Sequence, residues 1–272
     1  MSKLTDRIRA GGKIAVGMVQ LDPLPGSSRY RGGRLSDLVE AAVSEAKVLA
    51  DSGFDAVMMQ NLGDLPVAHK IVPSQVAWMS RVAFEVTRAV NIPVGVNFLE
   101  NDAEAILSVA SAAELDFVRL KVFIGVMVTP FGLVEGCAYE ANKVRNLLGA
   151  EDIAMFADVH DRTGIHLGGR DIDPDIREAV DLGYADGLVL TGGSFEESME
   201  LLGRARRKYS ELPLLLGGGA NESNLAAVLS IADGVIVSSS LKDSNSAFGR
   251  VNLAKARNFM DVFRRAGNAS ER

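Results

Sequence analysis

Short apolar segments with the composition of β-strands alternate eight times with longer segments of helical periodicity along this chain. The strand segments are near-continuous apolar runs, which is typical of a parallel sheet covered by helices. They span residues 14–19, 56–60, 94–98, 117–122, 154–159, 187–190, 214–216 and 234–237. Eight consecutive strand–helix units predict an α/β fold, a closed (β/α)8 TIM barrel.

The helical segments span residues 35–51, 74–89, 103–112, 138–148, 175–181, 196–208, 222–230 and 253–265. A chain of 272 residues suits one barrel, since such barrels commonly contain about 250 residues. A doubly wound sheet is the alternative, but it needs a glycine-rich turn after its first strand. Here that turn contains Pro23 and Pro25, so we predict a single barrel domain over residues 1–272.

Charge and cysteine content exclude several classes of protein. The net charge is −6, from 29 basic and 35 acidic residues, whereas nucleic-acid binding needs basic residues in excess. One cysteine, Cys137, permits no intrachain disulfide and no cysteine-rich zinc site. The first residues lack the apolar segment of a signal peptide, and no apolar run approaches the ~20 residues that span a bilayer. We therefore expect a cytoplasmic protein with no nucleic-acid partner and no integral membrane segment, and leave a homo-oligomer open.

Two cations end the fourth strand segment. Period-two alternation places Arg119 and Lys121 on one face, and the carboxyl ends of barrel strands carry the active site. Two inward cations favour an anionic ligand. The alternative is a structural ion pair with Asp158 on the adjacent fifth strand.

The fifth strand ends with Asp158 and His160, which the same alternation places on one face. A converging carboxylate and imidazole can act as acid and base. Two alternatives stay open: a metal site that includes His166, or a structural role in which Asp158 pairs with the cations. We predict Asp158, His160 and Lys121 as catalytic residues, with no cofactor and no metal.

Amides and hydroxyls follow other strands. Gln60, Asn61 and Asn97 can bind the hydroxyls of a sugar-like ligand, and Asp64 is a further candidate base. Asp64 also suits an ordinary turn or helix cap. Thr191 and Gly192, after the sixth strand, are candidates for contact with the body of the substrate. These assignments come from the residues' positions just after predicted strands.

The last two strands are followed by Gly-Gly-Gly at 217–219 and Ser-Ser-Ser at 238–240. Barrels frequently bind phosphate with these two loops, because backbone N–H groups there can approach an anion. We predict a phosphate site at Gly218, Gly219, Ser239 and Ser240. The alternative is that the glycines only make tight turns.

Six segments together resemble the BtpA family, also described as BtpA/SgcQ-like and grouped with ribulose-phosphate-binding barrels. They are LDPLPGS at 21–27, QNLGDLP at 60–66, VGVNFLEND at 94–102, GLVEG at 132–136, FADVH at 156–160 and ADGVIV at 232–237. The resemblance implies a barrel that binds a phosphosugar or nucleoside-like ligand, with isomerase, lyase or nucleosidase-like activity. The family name implies instead a non-catalytic role in photosystem I biogenesis, and a metabolite-binding protein is a third alternative.

The chain departs from that family's pattern at four positions. Gln20 stands where the family typically has His, Gln60 where it has Glu, Lys121 where Asn is common, and Arg162 where Lys is common. Gln20 is accordingly a candidate for substrate binding rather than for proton transfer. The resemblance then implies a lost reaction, a more anionic substrate, or chemistry moved to Asp158, His160 and Lys121.

Overall fold

A computed structural model describes residues 3–168 and 171–270. Its strands are β1 Ile14–Gln20, β2 Ala56–Gln60, β3 Val94–Asn97, β4 Phe117–Leu120, β5 Val126–Thr129, β6 Gly132–Glu135, β7 Ala154–Val159, β8 Ile165–His166, β9 Gly187–Leu190, β10 Leu214–Leu216 and β11 Gly234–Val237. Its α-helices are α1 Lys3–Arg9, α2 Leu35–Asp51, α3 Pro73–Ala89, α4 Ala103–Ala112, α5 Ala138–Leu147, α6 Ile172–Asp181, α7 Phe195–Lys208, α8 Leu225–Leu229 and α9 Leu253–Ser270.

Eight parallel strands close the predicted barrel. Around it they run β1, β2, β3, β4, β7, β9, β10 and β11, and β11 pairs with β1 in parallel register to complete the ring. All eight predicted strand segments are barrel strands, so the predicted fold class is confirmed. No helix in the described ranges has both the length and the apolar character that a membrane span requires.

Helices cover the outside of the barrel because each presents an apolar stripe. On α2, Leu38, Ala42, Ala46 and Leu49 recur at helical spacing and are buried. The short α1 was not predicted. Its Leu4 and Ile8 join the apolar cluster inside the barrel, so α1 closes one end of it.

Two aromatic rings fill the barrel interior. Phe117 and Phe156 meet edge to face, with ring centroids 6.0 Å apart. Glycines on neighbouring strands make room for them, since a Cβ at Gly95 or Gly187 would lie within 2.5 Å of a ring carbon. The lower part of the barrel is therefore packed core rather than an open channel.

One layer above this core, the inward side chains become polar. Strand alternation means that the residue two positions beyond an inward apolar residue also points inward. Most of the residues in this next layer are among the predicted site residues. The layer consists of Gln20, Gln60, Asn97, Arg119, Asp158, Thr191, Gly217 and Ser238. Strand alternation thus builds a polar floor beneath the mouth of the barrel.

The mouth carries a small sheet that the sequence did not predict. The β5–β6 hairpin follows β4, and β8 follows β7; together they form a three-stranded antiparallel sheet in the order β6, β5, β8. Met127, Phe131 and Val134 from this sheet and its turn line the cavity at the mouth. The sheet therefore forms one wall of the candidate site.

Candidate functional site at the barrel mouth

A cavity of about 490 Å³ lies at the carboxyl ends of the barrel strands. This volume falls in the range of small-molecule sites, roughly 300–1,000 Å³. The structure brings many of the predicted site residues together in its lining: Gln20, Gln60, Arg119, Lys121, Thr191, Gly218, Gly219, Ser239 and Ser240. The other six predicted site residues lie outside that lining: Asn61, Asp64, Asn97, Asp158, His160 and Gly192.

Arg119 and Asp158 form a bidentate ion pair across adjacent strands. The Nε–Oδ2 and Nη2–Oδ1 distances are 2.8 and 2.9 Å, and the Asp158 side chain is 2% exposed. Burial raises the pKa of Asp158 to about 6, although the Arg119 cation opposes this shift. Both carboxylate oxygens are engaged by Arg119, so Asp158 orients that cation and does not face the ligand space.

Lys121 lines the cavity and is held by the loop after β7. Its Nζ lies 3.1 Å from Thr163 Oγ1 and 3.5 Å from Asp161 Oδ2. Burial favours the protonated form of Asp161, but Lys121 and Arg119 outweigh it and lower the pKa of this carboxyl below its ordinary value. Arg162 lines the same wall and has no ion-pair partner among the residues that the structure describes.

His160 does not converge with Asp158, contrary to the expectation from strand alternation. β7 ends at Val159, and His160 adopts a left-handed backbone conformation with φ of 57°. The alternation stops there, so the imidazole turns away from the barrel axis. Its Nε2 lies 2.8 Å from Asp175 Oδ2 on α6, and its ring stacks on His166.

Asp64, the further candidate base, belongs to a buried hydrogen-bond network and lies outside the cavity lining. Its Oδ1 accepts from the Leu24 amide at 2.7 Å, and its Oδ2 accepts from Asn61 and Gln75 at 2.9 and 2.8 Å. Asn61 also donates to Glu100 Oε2 at 2.9 Å. Asp64 and Asn61 therefore hold loops together, and neither contacts the cavity.

Asn97 and Gly192 also support the site from behind. Asn97 Nδ2 donates to the Arg119 carbonyl at 2.8 Å, and its Oδ1 accepts from Gln60 Nε2, which fixes the Gln60 amide at the cavity surface. The Gly192 amide donates to Ser198 Oγ at 2.9 Å, because the chain there already turns toward α7. Gly192, predicted to contact the body of the substrate, therefore lies outside the cavity lining.

The loops after β10 and β11 present backbone donors to the cavity. Within the described residues, the amides of Gly218, Gly219, Ser239 and Ser240 donate no hydrogen bond. A Cβ at Gly218 would lie 3.1 Å from Arg162 Nη2, so the guanidinium reaches over this loop. Backbone amides without partners beside a cation form a concave surface suited to an anion.

Three buried polar atoms at the cavity also lack partners. They are Gln20 Oε1, Thr191 Oγ1 and Ser238 Oγ, none of which bonds another described residue. Buried polar groups are nearly always hydrogen-bonded. Three such atoms in one cavity indicate that it is built to receive polar groups from outside the chain.

The BtpA family model matches residues 12–265 of this sequence. This chain belongs to the BtpA family. An uncharacterised protein of Methanocaldococcus jannaschii is 34% identical over 92% of this chain and 95% of its own. The photosystem I biogenesis protein BtpA of Synechocystis is 36% identical, covering 84% of this chain and 79% of the relative. A putative sgc region protein of Escherichia coli, SgcQ, is 27% identical, with coverages of 92% and 93%.

Solved structures show similarity of fold to this BtpA-family barrel. A 7,8-dihydropteroate synthase from Vibrio fischeri superposes with a TM-score of 0.62 at 15% identity, covering 100% of this chain and 98% of that one. A tryptophan synthase chain from M. tuberculosis gives 0.60 at 15% identity, with coverages of 97% and 96%. At such identities the likeness extends to the barrel architecture alone.

Sequence reasoning missed several residues that line the BtpA-family cavity. Glu100 is 6% exposed, and burial raises the pKa of its carboxyl above the ordinary value. Its position just after β3 was a usable signal. Arg162 was noted only as a departure from the family pattern, and His69 lies in a long loop after β2 that alternation does not place.

Proposed function

We propose that this BtpA-family chain is an enzyme that acts on a small phosphorylated, sugar-like or nucleoside-like metabolite in the barrel mouth. The phosphate binds the amides of Gly218, Gly219, Ser239 and Ser240 beneath the Arg162 guanidinium. One observation carries the proposal: among the described residues these four amides donate no hydrogen bond, and they line the cavity together with Arg162, which forms no ion pair with any of those residues.

The remainder of the cavity suits the hydroxyl-bearing part of such a ligand. Gln20, Thr191 and Ser238 each present a buried polar atom that bonds no residue in the described part of the chain. The carbonyl oxygen of an amide accepts from a ligand hydroxyl, and a serine or threonine hydroxyl can donate or accept. A ligand that lacks these hydroxyls would leave the protein atoms unpaired, which disfavours its binding.

For proton transfer we assign Glu100 rather than the Asp158–His160 pair predicted from the sequence. Glu100 lines the cavity, whereas Asp158 lies behind Arg119 and His160 faces α6. Burial raises the pKa of Glu100 above its ordinary value, and a carboxyl is a more effective general acid or base as its pKa approaches the operating pH. Lys121 lies in the same lining and supplies positive charge for a developing anion.

Phosphate recognition is tested by calorimetric titration with inorganic phosphate, ribose 5-phosphate and ribose. The two phosphorylated probes should bind and ribose should not. Arg162→Met should weaken ribose 5-phosphate binding about tenfold, or about 1.4 kcal/mol. Arg81→Met is the matched control, because Arg81 is exposed on α3 and pairs with Glu85 on the same helix. Equal affinity in both variants would contradict the proposal.

Turnover is tested separately by NMR on a panel of sugar and nucleoside phosphates in deuterated water. Glu100→Gln should slow any reaction found in the wild type by about 10²–10⁴-fold. The variant should keep its affinity for inorganic phosphate, since Glu100 lies on a different wall from the glycine and serine loops. Unchanged turnover would remove Glu100 from the mechanism.

A non-catalytic role is the second candidate. It is favoured by the name of the Synechocystis relative and by exposed apolar side chains on the small sheet, where Leu133 is 54% and Ile165 is 75% exposed. Exposed apolar clusters often mark protein-binding surfaces. Two results together would favour this role. The wild type would bind phosphate but turn over no member of the panel, and Leu133→Ser would lose binding to a protein partner that the wild type binds.

A further inference from the structure

A second group of ligating side chains lies outside the cavity, between the end of β7, strand β8 and helix α6. His160, His166 and Asp175 each offer one ligand atom, and these atoms lie within 4.8 Å of one another. His160 Nε2 is 2.8 Å from Asp175 Oδ2, and the two imidazole rings stack with centroids 4.1 Å apart. None of the three lines the cavity.

We propose that His160, His166 and Asp175 bind a divalent transition-metal ion of the zinc class. Two imidazole nitrogens and one carboxylate oxygen form a donor set that zinc accepts, and water completes a tetrahedron. Bonds of about 2.0–2.1 Å hold the ligand atoms of such a tetrahedron about 3.3 Å apart. The ligand atoms of the three side chains already lie within 4.8 Å of one another. Small side-chain rotations would therefore bring them to the separation that a tetrahedral ion requires.

The surroundings of His166 support a metal more than a structural role. Its Nε2 is buried and has no hydrogen-bond partner among the described residues. A buried ring nitrogen without a partner is rare unless a water or an ion occupies its lone pair.

Asp175 supplies the anionic ligand. It lies in the first turns of α6 and is 3% exposed. Its Oδ2 already lies 2.8 Å from His160 Nε2, so this carboxylate is within reach of an ion held by the two imidazoles.

The position of the metal site gives it a structural consequence for the mouth. The segment 161–165 joins the two histidines, and it contains Asp161, Arg162 and Thr163, which line the cavity. A metal bound at both ends of this segment would hold it as a closed loop. The inference does not depend on the proposed reaction, since it concerns residues outside the ligand space.

The test uses the full chain without a polyhistidine tag, depleted of metal with a chelator and titrated with Zn²⁺ in a calorimeter. The wild type should bind one ion per chain. His160→Ala, His166→Ala and Asp175→Asn should each weaken binding by at least about tenfold. His69→Ala is the matched control, because His69 is the remaining histidine of the three in the chain and lies elsewhere at the mouth.

Two further measurements keep the proposal falsifiable if a variant folds poorly. Circular dichroism before titration checks folding, and His166→Gln replaces His166→Ala where needed. Co²⁺ should give the intense visible absorption of tetrahedral coordination in the wild type and in His69→Ala, and lose it in Asp175→Asn. Hydrogen exchange with Zn²⁺ should slow in peptides covering 160–166.

Three outcomes would overturn the site. The first is no Zn²⁺ binding by the wild type, the second is wild-type affinity in all three ligand variants, and the third is an equal loss of binding in His69→Ala. The last two results would place any bound ion elsewhere on the chain. A wild type that binds Zn²⁺ but does not bind ribose 5-phosphate would contradict the proposed function and leave the metal site standing.

Discussion

Two walls of the barrel mouth carry polar residues just after the strands, but they use them differently. After β2, Asn61 and Asp64 bond each other, and Asp64 also bonds the Leu24 amide and the Gln75 side chain. After β10 and β11, the amides of Gly218 and Ser239 bond no described residue. The first wall is a closed network, and the second is an open set of donors.

This difference separates structural residues from ligand-binding ones more sharply than position does. Both walls lie at the carboxyl ends of strands, where barrels place their sites. A buried donor or acceptor that is satisfied within the chain contributes to stability, whereas an unsatisfied one costs stability until a ligand arrives. Variants in the closed network should therefore change unfolding, and variants on the open wall should change binding.

The largest effect is expected in the closed network. Asp64→Ala removes the acceptor for the Leu24 amide and for the Asn61 and Gln75 side chains. The Leu24 amide and one N–H of each of the two side-chain amides lose their acceptor. The free energy of unfolding should therefore fall by about 5 kcal/mol. Urea denaturation measures this. Asp37→Ala, at an exposed ion pair with Arg34, should leave the unfolding midpoint unchanged; equal effects would refute the comparison.

Arg119→Met should have the next largest effect, and it should depend on pH. The variant leaves the Asp158 carboxyl buried without its cation, which should lower the free energy of unfolding by about 3 kcal/mol near pH 8. In the wild type the folded pKa of Asp158, about 6, exceeds the unfolded value of about 3.9.

Ionisation of Asp158 therefore opposes folding as the pH rises through this interval. Removing the Arg119 cation raises the folded pKa further, so the variant should be penalised more near pH 8 than near pH 5, where Asp158 is mostly protonated in both proteins. Denaturation curves at the two pH values measure the difference. A penalty that grows as the pH falls would contradict this sign.

Gly219→Ala should produce a smaller loss of stability together with a loss of binding. Gly219 has a φ of 81°, and a Cβ there would have nothing within 4 Å, so the cost is backbone strain of about 1–2 kcal/mol. Gly149→Ala is a matched control, with a φ of 61° and equally open space after α5. Both variants should unfold more easily, but only Gly219→Ala should weaken phosphate binding, by about tenfold.

Thr191→Val should have the smallest effect on stability. Thr191 Oγ1 is buried and bonds none of the residues that the structure describes, so its replacement by a methyl group should change the free energy of unfolding by less than about 0.5 kcal/mol. Affinity for ribose 5-phosphate should fall about fivefold, or about 1 kcal/mol, and affinity for inorganic phosphate should not. Ser198→Ala removes a hydroxyl that is satisfied by Gly192 and Ser194 and should destabilise the protein without affecting either affinity.

Strand alternation predicted the inward residues correctly wherever the strand continues. Arg119 and Asp158 face the interior as expected, and their ion pair was one of the alternatives that the sequence left open. The same reasoning failed for His160, because β7 ends one residue before it and the backbone takes a positive φ. The alternation of residue types along β7 does not by itself show that the strand ends at Val159 rather than at His160.

Local sequence was enough to predict the barrel, its eight strand–helix units and the two loops after β10 and β11 that offer backbone donors. These features depend on local composition and period, which neighbouring residues define together. The hydrogen-bond partners of the polar groups, in contrast, could be learned only from the folded chain. The partners of Asp64 come from Leu24, 40 residues earlier, and Gln75, 11 residues later, and His160 meets Asp175 across 15 residues. Hydrogen bonding between distant segments depends on how the chain closes, so no local pattern encodes it.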